Sequence, residues 1–386
     1  MLYATAAHVD LDALGFNARQ VRGLVGDRAI MVAVKADAYG HGAAAIGRFL
    51  QDERLVDWFG VATVPEGVGL RENGVDLPIL KLSPCFPEEL DAALDAGLTL
   101  AVAEIATIDA AEAAAARHGA VVPVHLKVDT GMRRIGCEPG EALALAERIA
   151  AGRHLDLQGV FTHLPISDTP EGADFTRAQL AQFLAVVDRI QAARAAAGRP
   201  PVPFIHASNS GAVLGHDLAG LTLVRPGLLL YGYAPDPAVP PPVPLRPVMS
   251  LVSRVTAVKV VPAGQTVGYG RTWTAPVDSW IATVPVGYAD GFSRLNGNTG
   301  QMLIGGRRYP VAGRVCMDQT MLDLGPVGEP PRAAPVAVGD EVVWLGRQGT
   351  ESITADDLAR LMGTISYEVL CLVTPRVARL YDRAAA

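Results

Sequence analysis

An α/β chain, with an N-terminal (β/α)8 barrel of the TIM type followed by a mostly β C-terminal domain, is the fold predicted by three features of this 386-residue sequence. Short β-rich runs first alternate with longer segments rich in Ala, Leu, Glu and Arg. A proline-rich stretch then breaks that rhythm. Past the break, β-branched runs punctuated by glycine dominate and helical signals become few.

The candidate strands of the first part are 30–34, 59–63, 79–82, 98–102, 121–128, 157–162, 204–206 and 221–224. Helix-like stretches lie between them at 42–51, 87–96, 105–117, 139–151 and 175–197. Eight strands, most followed by a helix, suit a closed parallel barrel. A doubly wound open sheet shows the same alternation, so the count and the clustering of polar residues described below decide for the barrel. Residues 234–248 read APDPAVPPPVPLRPV, which can continue neither a helix nor a central strand. Candidate strands resume at 251–260, 280–286, 301–304, 308–311 and 341–345, with one helix at 354–362. The expected division is a barrel over 1–240 and a mostly β domain over 241–386.

Composition narrows the function classes. Half the residues are hydrophobic and 19% are charged, as in a globular protein with a large core. The net charge of −7 leaves no basic surplus for neutralising phosphates, which argues against nucleic-acid binding. Cys85, Cys137, Cys316 and Cys371 form no Cys-x-x-Cys pair, a pattern of reduced thiols without a metal site. The N-terminal residues lack a signal-peptide pattern, and no uncharged apolar run reaches the roughly 18 residues of a membrane span. A soluble cytoplasmic protein is expected.

The unusual polar residues of the first part sit at or just past the carboxyl ends of the proposed strands. Lys35, Lys127, Arg134, His163, His206, Asn209, Ser210 and Arg225 all do so. In a closed barrel those ends converge on the face that carries active sites, and the loops after strands seven and eight commonly hold a phosphate. Asn209-Ser210-Gly211 and Arg225-Pro226-Gly227 stand at those two places, with the small residues and free N–H groups that close approach to an anion needs. Lys35 ends an apolar strand, where an amine is either a rim cation reaching to water or a desolvated nucleophile. His206 reads as a structural hydrogen-bonding histidine, Cys316 as a packing residue and Asp318 as a loop stabiliser. Tyr288 and Tyr367, taken alone, read equally as ordinary β-domain aromatics.

Ordered motifs carry a resemblance along essentially the whole chain. VKADAYGHG at 34–42, HLKVDTGMRRIG at 125–136, FIHASNSG at 204–211 and LVRPGLLLYG at 223–232 are followed by VGYGRT at 267–272 and GYADG at 287–291. GRVCMDQ at 313–319 and ISYEV at 365–369 complete the set. Together they resemble the alanine racemases, barrel-type enzymes dependent on pyridoxal 5'-phosphate.

That resemblance implies a two-base interconversion of L- and D-alanine by Lys35, which would hold the cofactor, and Tyr269, oriented by His163. Tyr39, Asn209, Ser210, Gly227, Leu228 and Tyr367 would bind the phosphate region, and Arg225 would face the pyridine nitrogen. Arg134 and the Met317 backbone would hold the substrate carboxylate, and Tyr288 would narrow the entrance. Lys127 matches a lysine that is carbamylated and paired with Arg134. A head-to-tail homodimer with shared sites, and supply of D-alanine for peptidoglycan, are implied as well. The sequence departs from the family pattern after His163, where Leu-Pro-Ile-Ser replaces a small, proline-free stretch. Three rivals remain: a barrel-type amino-acid decarboxylase, a non-enzymatic cofactor-homeostasis protein, and a racemase for serine or of broad specificity.

Overall fold

The computed structural model describes residues 4–383. The described residues divide into two compact units: residues 14–38 with 43–246, and residues 4–13 and 39–42 with 247–383.

The first unit is a parallel barrel. Its strands are β2 (Ala29–Ala33), β3 (Trp58–Val61), β4 (Ile79–Lys81), β5 (Thr99–Val102), β6 (Val122–Lys127), β7 (Leu155–Phe161), β8 (Phe204–His206) and β9 (Leu223–Val224). The label β1 belongs to Ala6–Asp10, which lies in the other unit. From β2 to β7 each barrel strand pairs with its successor in the chain, and β9 pairs with β2 through Ile30↔Val224. The Thr222 amide donates to the Ile205 carbonyl (2.9 Å) and the Arg225 amide to the Ser208 carbonyl (2.8 Å), closing the ring between β8 and β9. The strands read as apolar runs because both faces are covered, one by the helices and the other by the barrel interior. Met31, Trp58, Leu80 and Leu223 form one interior layer, with Phe204 packed against it.

The strand ends differ from the sequence reading by a few residues. Some helix boundaries differ for identifiable reasons. Pro139-Gly140 forms a turn, so the helix predicted from 139 starts at Ala142. The segment predicted as one helix at 87–96 is a 3-10 turn, Pro87–Glu89, followed by Leu90–Asp95. A helix at Val64–Glu72 escapes the apolar periodicity because it carries Gly67 and Gly69. Gly67 is required there, since a Cβ would stand 2.8 Å from Leu98. Its start is set instead by a capping box between Thr63 and Glu66.

The second unit is mostly β. Its larger sheet runs in the order Arg307–Pro310, Gln301–Ile304, Glu341–Gln348, β10 (Met249–Arg254), β1 and Ala378–Asp382, with Glu351–Ile353 added to Glu341–Gln348. A three-stranded sheet holds Ala257–Val261, Ser279–Val284 and Thr320–Pro326, and a two-stranded one pairs Thr266–Val267 with Trp273–Thr274. Residues 251–260, expected as one strand, therefore serve two sheets, with the break at Val255 and Thr256. Trp344 and Phe292 meet edge to face at 5.6 Å in the core. Among the described residues, no helix is long and apolar enough to cross a membrane, and no group of three or more His, Cys, Asp or Glu could hold a metal.

Candidate active site

The carboxyl ends of the barrel strands bring Lys35, Lys127, His163, Asn209, Ser210, Arg225, Gly227 and Leu228 to one face. Lys35 follows β2 by two residues and opens a turn of unusual hand. Ala36, Asp37, Ala38 and Tyr39 have φ of 51°, 53°, 53° and 54°, a left-handed turn that L-residues disfavour. Specific bonds hold it. One carboxylate, that of Glu66, accepts from the Ala36 amide (2.7 Å), the Ala62 amide (2.7 Å) and the Thr63 amide (3.0 Å). The Ala38 amide donates to the Val34 carbonyl (2.8 Å), and Asp37 accepts from the Ala43 amide (2.8 Å).

Arg225 is the electrostatic centre of this face. It is 8% exposed, and its terminal nitrogens are committed inward. Nη1 donates to His206 Nδ1 (2.9 Å). Nη2 faces the carbonyls of Thr162 (2.7 Å) and Ala207 (3.2 Å), with His163 Nδ1 at 3.3 Å. Burial lowers the guanidinium to about 9, which leaves it cationic at neutral pH. That charge spreads its influence. Burial, then Arg225, Arg134 and Lys127, push His163 down to about 2, so its ring is neutral. Burial, then Arg225 and Arg134, lower Lys127 to about 8. Beneath them lies the Phe161 ring, 5.3 Å from Lys127 Nζ, 5.6 Å from Arg225 Cζ, and stacked on His206 at 4.8 Å.

The two loops predicted to face a phosphate are tied together, the Gly227 amide donating to Ser210 Oγ (2.9 Å). Asn209 caps Ser210–Gly215. Its Oδ1 accepts from the Ala212 amide (3.1 Å) and Ser167 Oγ (2.6 Å), while its Nδ2 donates to the Leu164 carbonyl (3.0 Å). Its side chain is thereby spent on shaping the loop. These bonds also absorb the unusual Leu-Pro-Ile-Ser segment, in which Leu164 is buried. Opening helical turns begin at Ser210 and at Leu228, and their first N–H groups have no partner within the turn.

Arg134 is exposed on the loop after β6, which Asp129 shapes by accepting from the amides of Gly131 (2.8 Å) and Arg133 (3.1 Å).

Five predicted residues lie in the other unit. Tyr39 and Tyr367 have ring centroids 6.0 Å apart, and burial, with Tyr367 nearby, pushes the Tyr39 phenol well above its ordinary range. Tyr269 stands between two glycines of positive φ, Gly268 (72°) and Gly270 (73°), and is 71% exposed. Tyr288 and Met317, 40% and 52% exposed, are carried by two interlocked loops. The Tyr288 amide donates to the Cys316 carbonyl (3.1 Å) and the Ala289 amide to the Met317 carbonyl (3.0 Å). A Cβ at Gly287 would stand 2.2 Å from that Met317 oxygen, which explains the glycine opening GYADG. Arg376 clamps both loops, pairing with buried Asp290 (3.1 Å) and with Asp318 (2.6 Å).

Sequence reasoning missed Glu66, Phe161, Asp290 and Arg376. The capping pattern Thr63-x-x-Glu66 was the one available signal for the first of these.

The donor set suits a phosphorylated pyridine aldehyde. It offers a strand-end amine, a buried guanidinium, and paired loops with small residues and N–H groups. Comparisons with known proteins identify the family. Residues 9–235 match the model of the alanine racemase N-terminal domain, and residues 248–381 match that of the C-terminal domain. The chain is 49% identical to the alanine racemase of Cutibacterium acnes over 97% of each chain. It is 43% identical to that of Symbiobacterium thermophilum over 99% of this chain and 98% of the relative. Among solved structures, the alanine racemase of a D-cycloserine-producing Streptomyces lavendulae superposes with a TM-score of 0.89 at 34% identity, covering 100% of this chain and 98% of that one. A Bacillus anthracis alanine racemase with bound L-Ala-P gives 0.89 at 31% identity, covering 99% and 96%.

Proposed function

The chain belongs to the alanine racemase family, and we propose that it interconverts L- and D-alanine with pyridoxal 5'-phosphate held at the barrel rim. The observation that carries this reading is the buried Arg225, its terminal nitrogens locked inward, beside two tied anion-binding loops and a strand-end lysine. Lys35 would hold the cofactor through its amine. Ser210, Gly227 and Leu228, with the phenols of Tyr39 and Tyr367, would receive its phosphate. The chemistry supplied by the bound cofactor is an electron sink for the carbanion left when an α-proton is removed.

Racemisation needs a proton taken from one face and returned on the other, so two acid–base groups must flank the α-carbon. Lys35 serves one face and Tyr269 the other. A phenol near its ordinary pKa of about 10 needs help to act as a base. His163 fits that role: Arg225 donates to its Nδ1, so the neutral ring keeps its proton on Nε2 as a donor for a phenolate. Arg134 and the Met317 backbone would orient the substrate carboxylate, with Tyr288 restricting size. Lys127, with its lowered pKa, would accept carbon dioxide as a carbamate and then pair with Arg134. A permanent cation facing the pyridine nitrogen discourages its protonation and weakens the sink. Arg225→Glu is therefore expected to raise transamination, read as pyruvate formed per racemisation event.

The exposure of Tyr269 supports a homodimer in which the tyrosine of one subunit serves the barrel of another. Four free cysteines fit a reducing cytoplasm, where the product would serve peptidoglycan synthesis. The decisive experiment measures racemisation of L- and D-alanine, with serine as comparison, together with the visible band gained on adding pyridoxal phosphate. Borohydride should trap the cofactor at Lys35. A protein that stays colourless and untrapped would sink the proposal.

A further inference from the structure

Building on that reading, we propose that His125 is a positioning residue, fixing His206 as the Nε2-protonated tautomer and thereby holding Arg225 against the cofactor. The argument starts at the guanidinium, which has donors only. Nη1 lies 2.9 Å from His206 Nδ1, so that nitrogen must accept. Burial and Arg225 keep His206 neutral, and its single proton is then on Nε2. Nε2 lies 2.9 Å from His125 Nδ1, which must in turn accept. His125, lowered to about 3 by burial and Arg225, is also neutral and carries its proton on Nε2, an atom with no bonding partner among the described residues.

The barrel is shaped around this ring. The pairing of β6 with β7 slips between Val124 and His125, which lands opposite Gly159. A Cβ at Gly159 would stand 2.4 Å from the imidazole, so only glycine leaves room. Trp58 and Phe204 wall the slot, with centroids at 5.4 Å and 6.0 Å. A phenylalanine would fill such an apolar slot without stranding an N–H. A strand glycine and a bulge are both unfavourable in a sheet. What the imidazole adds in return is the Nδ1 lone pair that receives His206.

The test is 15N NMR of selectively histidine-labelled holoenzyme, using long-range proton couplings to assign tautomers. Both His206 and His125 should be neutral, with the proton on Nε2. A proton on Nδ1 of either ring, or an imidazolium, would overturn the proposal, and this measurement needs no variant. His125→Asn, which keeps an acceptor near the Nδ1 position, should stay within about threefold of wild-type kcat. His125→Phe should lose about tenfold or more in kcat with little change in KM, and should shift the pH dependence of the visible band. Identical behaviour of the two variants would equally count against it. Absence of any visible band would instead indict the functional reading, so the two failures are distinguishable.

Discussion

The barrel rim and the tyrosine-bearing loops hold their functional groups in opposite ways. At the rim, Arg225 is 8% exposed and bonded to three backbone or ring partners at 2.7–3.2 Å, with a fourth at 3.3 Å. In the loops, Tyr269, Met317 and Tyr288 are 71%, 52% and 40% exposed, although the backbone beneath the last two is firmly clamped. One region is electrostatically finished within its own unit. The other leaves its side chains exposed to solvent.

The largest effect that can break this contrast is at Lys35. Lys35→Ala should lower kcat/KM by about 10⁴-fold or more and abolish borohydride trapping, because that amine is the one proposed to hold the cofactor. Tyr269→Phe should cost about 10²- to 10⁴-fold, and unequally. Deuterium wash-out from one alanine enantiomer should vanish while exchange from the other persists. Undiminished exchange from both would remove Tyr269 from the chemistry. If the exposed tyrosine serves another subunit, mixing the two inactive variants should restore about a quarter of wild-type activity. Half of the dimers would be mixed, each with one intact site of two. No recovery after verified subunit exchange would sink the shared site.

Smaller effects sharpen the comparison through pH. His125 and His206, both fully buried, are held neutral in the folded barrel, His125 down to about 3. An unfolded histidine takes up its proton near 6.5. Below that value the unfolded chain binds more protons, so stability is complete above about 6.5 and falls with pH toward about 3. Each ring contributes a slope of about 1.4 kcal/mol per pH unit. His125→Asn should make the pH dependence of the urea midpoint shallower over that window, and an unchanged slope would contradict the neutral assignment. Lys127 has the same sign in a higher window. With its folded pKa near 8 and an unfolded value of 10.5, stability rises as pH climbs between the two. Labelled bicarbonate should give a carbamate signal, absent in Lys127→Met, that grows as pH rises through 8.

The sequence showed the barrel more clearly than its companion. Eight apolar runs separated by helical segments are hard to misread, since each strand is buried on both faces. The second unit hides its logic. Residues 251–260 look like one strand, yet feed two sheets, because apolar continuity records burial and not which neighbour provides it. The helix at Val64–Glu72 was invisible to periodicity because close packing put glycine where apolar side chains were expected. At the site, the strand-end positions of Lys35, His163 and Arg225 followed from the barrel alone. Roles for Tyr269, Met317 and Tyr367 came only through family motifs. The bonds that aim these groups from His125 and Arg376 pair residues far apart in the chain, which no local pattern announces, whereas Glu66 left a capping signature.

Strand β1 has a consequence for how this chain can be made. In its sheet it lies between β10 and Ala378–Asp382, pairing Ala7 with both Leu251 and Arg379. The segment thus acquires its second neighbour only when Ala378–Asp382, hundreds of positions further along the chain, are also in place. Until then it is a bare, apolar edge that any other nascent strand could capture. Severing the chain at the proline-rich linker would strand it permanently, so neither half should be recoverable as a clean fragment.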